Sequence, residues 1–314
     1  MKYAVKKICT LIITLLLISM ITFAAFSVIP GDAALAKSGT NATPERVEAL
    51  REELGLNDTL VRRYGHWLFN VFQGDFGESY QYTGHTVQSL LADRLPISLL
   101  LTLMVFVLIL AVSIPLGLWS AKRKGSWVDK AIHITTQVTM AIPPFFLGIL
   151  LTFVFGVLFS VFQPGQFVSP KENMINAVRS LIFPALAIAI PKIAMVVKFV
   201  RNSVLSENGK DYVRTARSKG NTRNQVLYGH ILKNALIPVI TFIAIVVAEI
   251  FAGSIVVEQV FDIPGLGRLL VTAIANRDFP VVQASVLCVT AAVIILNSVV
   301  DILYRFADPR VQGE

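Results

Sequence analysis

Residues 95–121 read LPISLLLTLMVFVLILAVSIPLGLWSA, a run without a single Asp, Glu, Lys or Arg. A helix of about 20 apolar residues crosses the roughly 30 Å hydrocarbon core of a bilayer, and this run exceeds that length. Whole-chain composition agrees: 54% of the 314 residues are hydrophobic and 15% charged, where soluble chains carry about a quarter charged. The missing charge is concentrated in stretches where it would be expensive, so the chain reads as an integral membrane protein.

Outward from that run, residues 8–31, 131–170 and 279–300 are likewise free of charge. Two further candidates are interrupted: residues 180–201 carry Lys192 and Lys198, and residues 235–257 carry Glu249. In the first, eleven residues from Leu181 to Val200 (Leu, Ile, Val and Phe) favour insertion by about 0.3–0.6 kcal/mol each, or about 5 kcal/mol together, against about 3 kcal/mol for a central lysine. Lys198, near the end, can snorkel. The expected fold is therefore all-α, with six transmembrane helices. Pro143, Pro144, Pro184 and Pro191 are tolerated inside a bundle and mark candidate kinks.

The formal charge of +8 raises nucleic acid or anionic lipid as partners, and location decides. Lys2, Lys6 and Lys7 precede the first span, Lys122, Arg123, Lys124 and Lys130 follow the second, and Lys210, Arg214, Arg217, Lys219, Arg223 and Lys233 follow the fourth. The opposite short loops hold only Lys171, Arg179, Arg268 and Arg277. Positive-inside bias thus makes the charge an address label rather than a nucleic-acid surface, and puts both termini in the cytoplasm. Three segments follow: 1–30, the N-terminus and first span; 31–94, an external segment; and 95–314, a five-helix core with a cytoplasmic loop at 204–234. A cleaved signal peptide is the rival for the first span, with Ala34-Leu35-Ala36 as a small-residue cleavage site, but the apolar run exceeds the usual signal core.

In the external segment, residues 44–55 predict a short helix capped by Thr43, started by Pro44 and ended by Gly55, and residues 61–72 an amphipathic helix with interfacial Tyr64 and Trp67. Turn-rich Gln73-Gly74-Asp75-Phe76-Gly77-Glu78-Ser79 follows. Cys9 and Cys288 lie in apolar runs, the four histidines lack metal-ligand spacing, and no nucleophile elbow, zinc-protease or P-loop pattern occurs. No catalytic, cofactor or metal site is expected in this chain.

The inner loop is more specific. Asp211-Tyr212-Val213-Arg214-Thr215-Ala216-Arg217-Ser218-Lys219-Gly220 reads as a short helix with an acid at its start, bases toward its end and a terminating glycine. Thr222 with Gln225 forms a candidate capping box for a second helix that ends before Pro238 enters the fifth span. From charge alone this element could equally rest on anionic lipid head groups. Arg214-Thr215-Ala216, Gly220 and Leu236-Ile237-Pro238 resemble the loop signature of integral membrane subunits of ABC importers, with Arg214 and Thr215 departing from its first two positions. The departure is similar to the oligopeptide, dipeptide and nickel permeases, and most to the B-type subunit of oligopeptide systems. Lys233-Asn234-Ala235-Leu236, Pro30-Gly31-Asp32, Leu54-Gly55-Leu56, residues 74–79, Val257-Glu258-Gln259-Val260-Phe261, Pro264-Gly265-Leu266-Gly267, Asn276-Arg277-Asp278-Phe279-Pro280 and Asp308-Pro309-Arg310 share that likeness, which covers nearly the whole chain.

The resemblance implies a type I ABC importer permease in the cell's inner or plasma membrane. It would pair with a second, homologous permease, sit on two ATP-binding subunits that hold ATP and Mg, and receive cargo from an external substrate-binding protein. Asp211, Tyr212, Val213, Arg214, Thr215, Ala216, Arg217, Lys219 and Gly220, with Pro238, become the ATPase-coupling candidates. If Tyr212, Val213 and Ala216 were buried on docking, they would contribute about 4–6 kcal/mol, mostly offset by an association cost of at least about 4 kcal/mol. Lys192 and Glu249 are the pathway candidates, because intramembrane charges usually face a bundle interior or cavity. Phe261, Pro264, Gly265 and Gly267, with Arg268, form a turn-rich external gate candidate, or a plain tight connection. Peptides are the expected cargo, nickel or a metal chelate the runner-up. A secondary transporter without an ATPase is the rival of another class, and would call for paired intramembrane acids or an inverted repeat.

Overall fold

The structure is a computed structural model and describes residues 2–28, 34, 43–53, 55–163 and 165–307. Pro30-Gly31-Asp32, Leu35-Ala36, Leu54 and Asp308-Pro309-Arg310 lie outside the described residues. The chain folds as two compact units, one formed by residues up to Ser98 with Pro264–Ile294, the other by Leu99–Ile263 with residues from Ile295 on.

In the first unit, α1 (Lys2–Val28) is the first span and α2 (Pro44–Glu53) the short helix that follows it. Thr43 Oγ1 accepts from the Arg46 amide at 3.4 Å, and at the other end Gly55 takes a φ of +61°, letting the Leu56 amide reach back to the Arg51 carbonyl at 2.9 Å. The amphipathic run at 61–72 is α3 (Leu60–Phe72), and it lies on α1 through its aromatic face. The Tyr64 hydroxyl is 2.8 Å from Ser19 Oγ, and Phe23 packs edge-on to Tyr64 and against Trp67. Val61, Phe69 and Phe72 on another face are exposed. The core of this unit joins Val87, Leu90 and Leu91 at the start of α4 (Val87–Lys122) to Leu266, Leu269 and Ala273 of α11 (Leu266–Ala275) and to Val281 and Val282 of α12 (Phe279–Ala307).

In the second unit the expected third span is not one helix. Its first half, α5 (Trp127–Met140), starts upstream of the charge-free run because Ser126 caps it. Its second half, α6 (Pro144–Leu151), continues as a π-helical stretch, Thr152–Leu158. The two halves bend by 98° at residues 141–143. The cause is Pro143-Pro144: a residue before proline is pushed out of the helical region, and Pro143 is extended at φ −63°, ψ 141°. Among the described residues five continuous helices are long and apolar enough to cross a membrane, six if the bent pair counts as one span.

The fourth span, α7 (Met174–Asn208), is started by Asn173, whose side chain accepts from the Asn176 amide at 3.0 Å. It keeps both Pro184 and Pro191 inside an uninterrupted helix and packs on α5, α6 and α10. After α8 (Asp211–Ser218), the capping box of Thr222 and Gln225 starts α9 (Arg223–Val226). This second helix of the loop does not stop before the fifth span: it runs through a π-helical turn, Leu227–Ile231, into α10 (Leu232–Val260), and Pro238 lies inside α10 rather than at its entrance. A proline there leaves only the Asn234 carbonyl without its helical donor, a cost a bundle absorbs.

Candidate functional site

α8 presents two faces. Val213 and Ala216 are buried within this chain, whereas Arg214, Thr215, Arg217, Ser218 and Lys219 are exposed. The expectation that Val213 and Ala216 would be buried against a partner is therefore corrected: they anchor the helix to its own protein, and its exposed face is polar and basic. Tyr212 is tied inward too, its hydroxyl donating to Glu207 at 2.7 Å, while Lys210 reaches the same carboxylate at 2.5 Å. Partial burial and the Glu207 carboxylate push the Tyr212 phenol above its ordinary value. Arg217 donates to Asn208 Oδ1 at 2.5 Å, and Asn221 to the Ala216 carbonyl at 3.1 Å. Gly220 ends the helix at φ +83° with open space where a Cβ would stand, so its requirement is conformational.

A second cluster was not anticipated from the sequence. Asp129 in the first turn of α5 is almost fully buried and accepts two guanidinium bonds from Arg201 of α7, at 2.7 and 2.8 Å. Ser120 Oγ and the Gly125 amide complete its shell at 2.6 and 2.9 Å. Arg223 at the start of α9 donates to the Lys122 carbonyl at 2.7 Å. The short loop between α4 and α5 is thus held both by α7 and by the segment that carries the coupling candidates. The signal that could have found it was Ser126-x-x-Asp129, a cap pattern placing a carboxylate at a helix start.

The two pathway candidates meet: Lys192 Nζ of α7 forms an ion pair with Glu249 of α10. Lys198 donates instead to Gln137 Oε1 at 3.2 Å. Of the gate candidates, Phe261 is buried with its ring 6.2 Å from that of Phe162, and a Cβ on Gly148 would stand 3.0 Å from it, so glycine permits that approach. The expected turn is confined to residues 261–265. Gly265 caps α11, a helix the sequence reading missed, Gly267 is buried in it, and the Leu266 amide donates to Ser98 Oγ at 2.8 Å.

Two stretches singled out by resemblance also come together. Asp278 is fully buried and accepts from Ser79 Oγ and from the Tyr80 amide at 3.2 Å and the Gln81 amide at 3.3 Å. Arg277 before it adopts φ +57°, which closes α11 and turns Asp278 inward. Burial, reinforced by the Asp278 charge, pushes the Tyr80 phenol up to about 12.

Residues 113–313 match the model of the family described as binding-protein-dependent transport system inner membrane component, and residues 1–102 match the model of its N-terminal part. The chain belongs to this family. As a binding-protein-dependent permease it is a multi-pass membrane protein, and its similarities to individual proteins run end to end. It is 37% identical to the oligopeptide transport system permease protein AppB of Bacillus subtilis (strain 168) over 99% of both chains. It is also 37% identical to a Brucella abortus (strain 2308) protein assigned as a peptide transport system permease, over 98% of both chains. Among solved structures, the MetNI methionine ABC transporter in an inward-facing conformation superposes with a TM-score of 0.57 at 17% identity, covering 70% of this chain and 97% of that one. The permease thus has the fold of an ABC importer's membrane subunit, as the inner loop implied.

Proposed function

We propose that this permease is one of two membrane halves of an ATP-driven importer of di- or oligopeptides delivered by an external binding protein. The observation that carries the reading is its likeness to AppB over 99% of both chains, which runs through outer segment, spans and inner loop alike. Neither relative described above carries nickel in its name, and peptide stands ahead of a metal chelate as cargo. Both termini are cytoplasmic and residues 31–94 face outward, as the distribution of lysine and arginine supports.

The chain is not itself an enzyme: ATP and Mg belong to two partner subunits, and the chain's part is to receive their motion. α8 suits that part because its apolar side is anchored within the chain while Arg214, Arg217 and Lys219 are exposed and can meet an acidic groove. The Arg223 bond to Lys122 and the Asp129–Arg201 pair connect the neighbouring segment to α4, α5 and α7, so a push on the loop is shared by several spans. Lys192 and Glu249 line the pathway, and Phe261, Pro264, Gly265 and Gly267 belong to its external gate. The test is reconstitution of this chain with a second permease, two ATPase subunits and the binding protein in liposomes. Accumulation of labelled peptide that requires ATP is the expected result, and cargo uptake by this chain alone on an ion gradient is the result against it.

A further inference from the structure

Lys192 and Glu249 occupy one rung of a ladder between α7 and α10. Seven residues along each helix, in opposite directions, Phe199 and Phe242 stack at 4.1 Å with planes 4° apart. That aromatic rung and the surrounding apolar packing fix the register of the two helices, so register does not require an ion pair. An ion pair at membrane depth is a costly way to hold helices, since apolar replacements of buried pairs are often neutral or stabilising.

The pair also adjoins the broken third span. Ala141, Ile142, Pro143 and Pro144 at the break and Pro191 and Lys192 of α7 line a cavity of about 220 Å³. Lys192 is the one ionisable group in that wall among the described residues. Non-helical backbone at this depth is tolerated where it lines a cavity. The volume holds roughly seven waters and falls below the roughly 300 Å³ at which pockets enclose a whole ligand. It fits one terminal group of a larger cargo. The two partners differ in access: the Lys192 side chain is 15% exposed and that of Glu249 43%.

We propose that the cavity at the break of the third span is a binding site for the terminal carboxylate of the cargo. Lys192 exchanges Glu249 for that carboxylate, and the released Glu249 faces the cargo's ammonium. One carboxylate replaces another on Lys192, so the wall keeps its charge throughout the exchange. The ligand class is a zwitterionic chain with a free carboxyl end, and this rests on the peptide reading above.

The test uses the complete importer in proteoliposomes with its binding protein. Lys192→Gln combined with Glu249→Gln removes both charges and leaves no orphan, so a pair that only holds helices is nearly silent when lost. The expected result is unfolding within a few degrees of wild type, ATP hydrolysis still stimulated by the loaded binding protein, and peptide uptake per ATP lowered about tenfold or more. Uptake within about twofold of wild type overturns the site. A second measurement covers a double variant that fails to fold: with Cys9 and Cys288 replaced by Ala, Ile142→Cys in the cavity wall is labelled by a thiol reagent. A peptide with a free carboxyl end slows labelling and its C-terminal amide does not; equal rates overturn the proposal. A wild-type importer that moves no peptide sinks the peptide reading itself, whereas intact wild-type uptake with a silent double variant sinks only this site.

Discussion

Arg201, near the C-terminal end of α7, lays two guanidinium bonds on Asp129, at the first turn of α5, and Asp129 is the more buried partner. Removing one side of such a pair strands the other charge, at a cost of about 3–5 kcal/mol. Asp129→Asn and Arg201→Gln should therefore each lower the unfolding temperature of the purified permease, and the double variant should recover part of the loss. Thermal unfolding of the three variants checks this, and single variants as stable as wild type would show that the pair does not hold α5 to α7.

Gly220 sits at φ +83° with nothing near its Cβ position. Gly220→Ala should then cost only about 1–2 kcal/mol, the penalty of a left-handed backbone for an L-residue, and leave the protein inserted. Gly220→Asp, which adds a charge beside the basic end of α8, and Ala216→Leu, which overpacks a buried position, should abolish cargo uptake without preventing insertion. Membrane fractionation beside an uptake assay distinguishes the two effects; normal uptake in both variants would remove α8 from the coupling role.

Ser79 and Asp278 join the loop after α3 to the turn before α12. Ser79→Ala removes one donor from a fully buried carboxylate and should cost about 1–3 kcal/mol, read as a lower unfolding temperature. The two backbone amides of Tyr80 and Gln81 remain, so the loss should stay short of unfolding.

Tyr80 carries the pH prediction. Its phenol is raised from 10.0 to about 12, so the folded state holds the proton more tightly than the unfolded one. The stabilisation tied to the neutral phenol is intact below pH 10 and declines as pH rises through about 12. A spectrophotometric titration of tyrosinate formation, compared with Tyr80→Phe, should show one late-ionising group missing in the variant; an identical titration curve would contradict the half-buried placement beside Asp278.

The spans were legible because charge exclusion acts over about twenty residues at a time, a signal no single side chain can mask. Pro143-Pro144 announced a disturbance in the third span but not a 98° bend, since the direction of a break is set by the helices it packs against. α11 was hidden by Pro264-Gly265 at its start, which reads as a turn although Leu266, Leu269, Leu270 and Ala273 follow at helical spacing. Val213 and Ala216 were recognisable as the apolar side of α8, yet whether that side meets a partner or its own protein depends on packing that sequence periodicity does not contain. Lys192 and Glu249 stood out as charges in apolar runs, but their meeting requires the register of α7 on α10, across 57 residues of chain. Asp129 escaped notice because an acid in a basic loop looks like an ordinary cap until Arg201 comes to it.

Co-purification tests the central claim most directly. The permease is expressed together with its second permease and ATP-hydrolysing subunits and drawn out through a tag on this chain. The ATPase should come with the wild-type protein and be lost when the exposed face of α8 is reversed by Arg214→Glu, Arg217→Glu and Lys219→Glu, with the protein still inserted and the second permease still bound. Undiminished retention of the ATPase by the reversed chain would contradict the claim that α8 is where this permease receives the ATPase's motion.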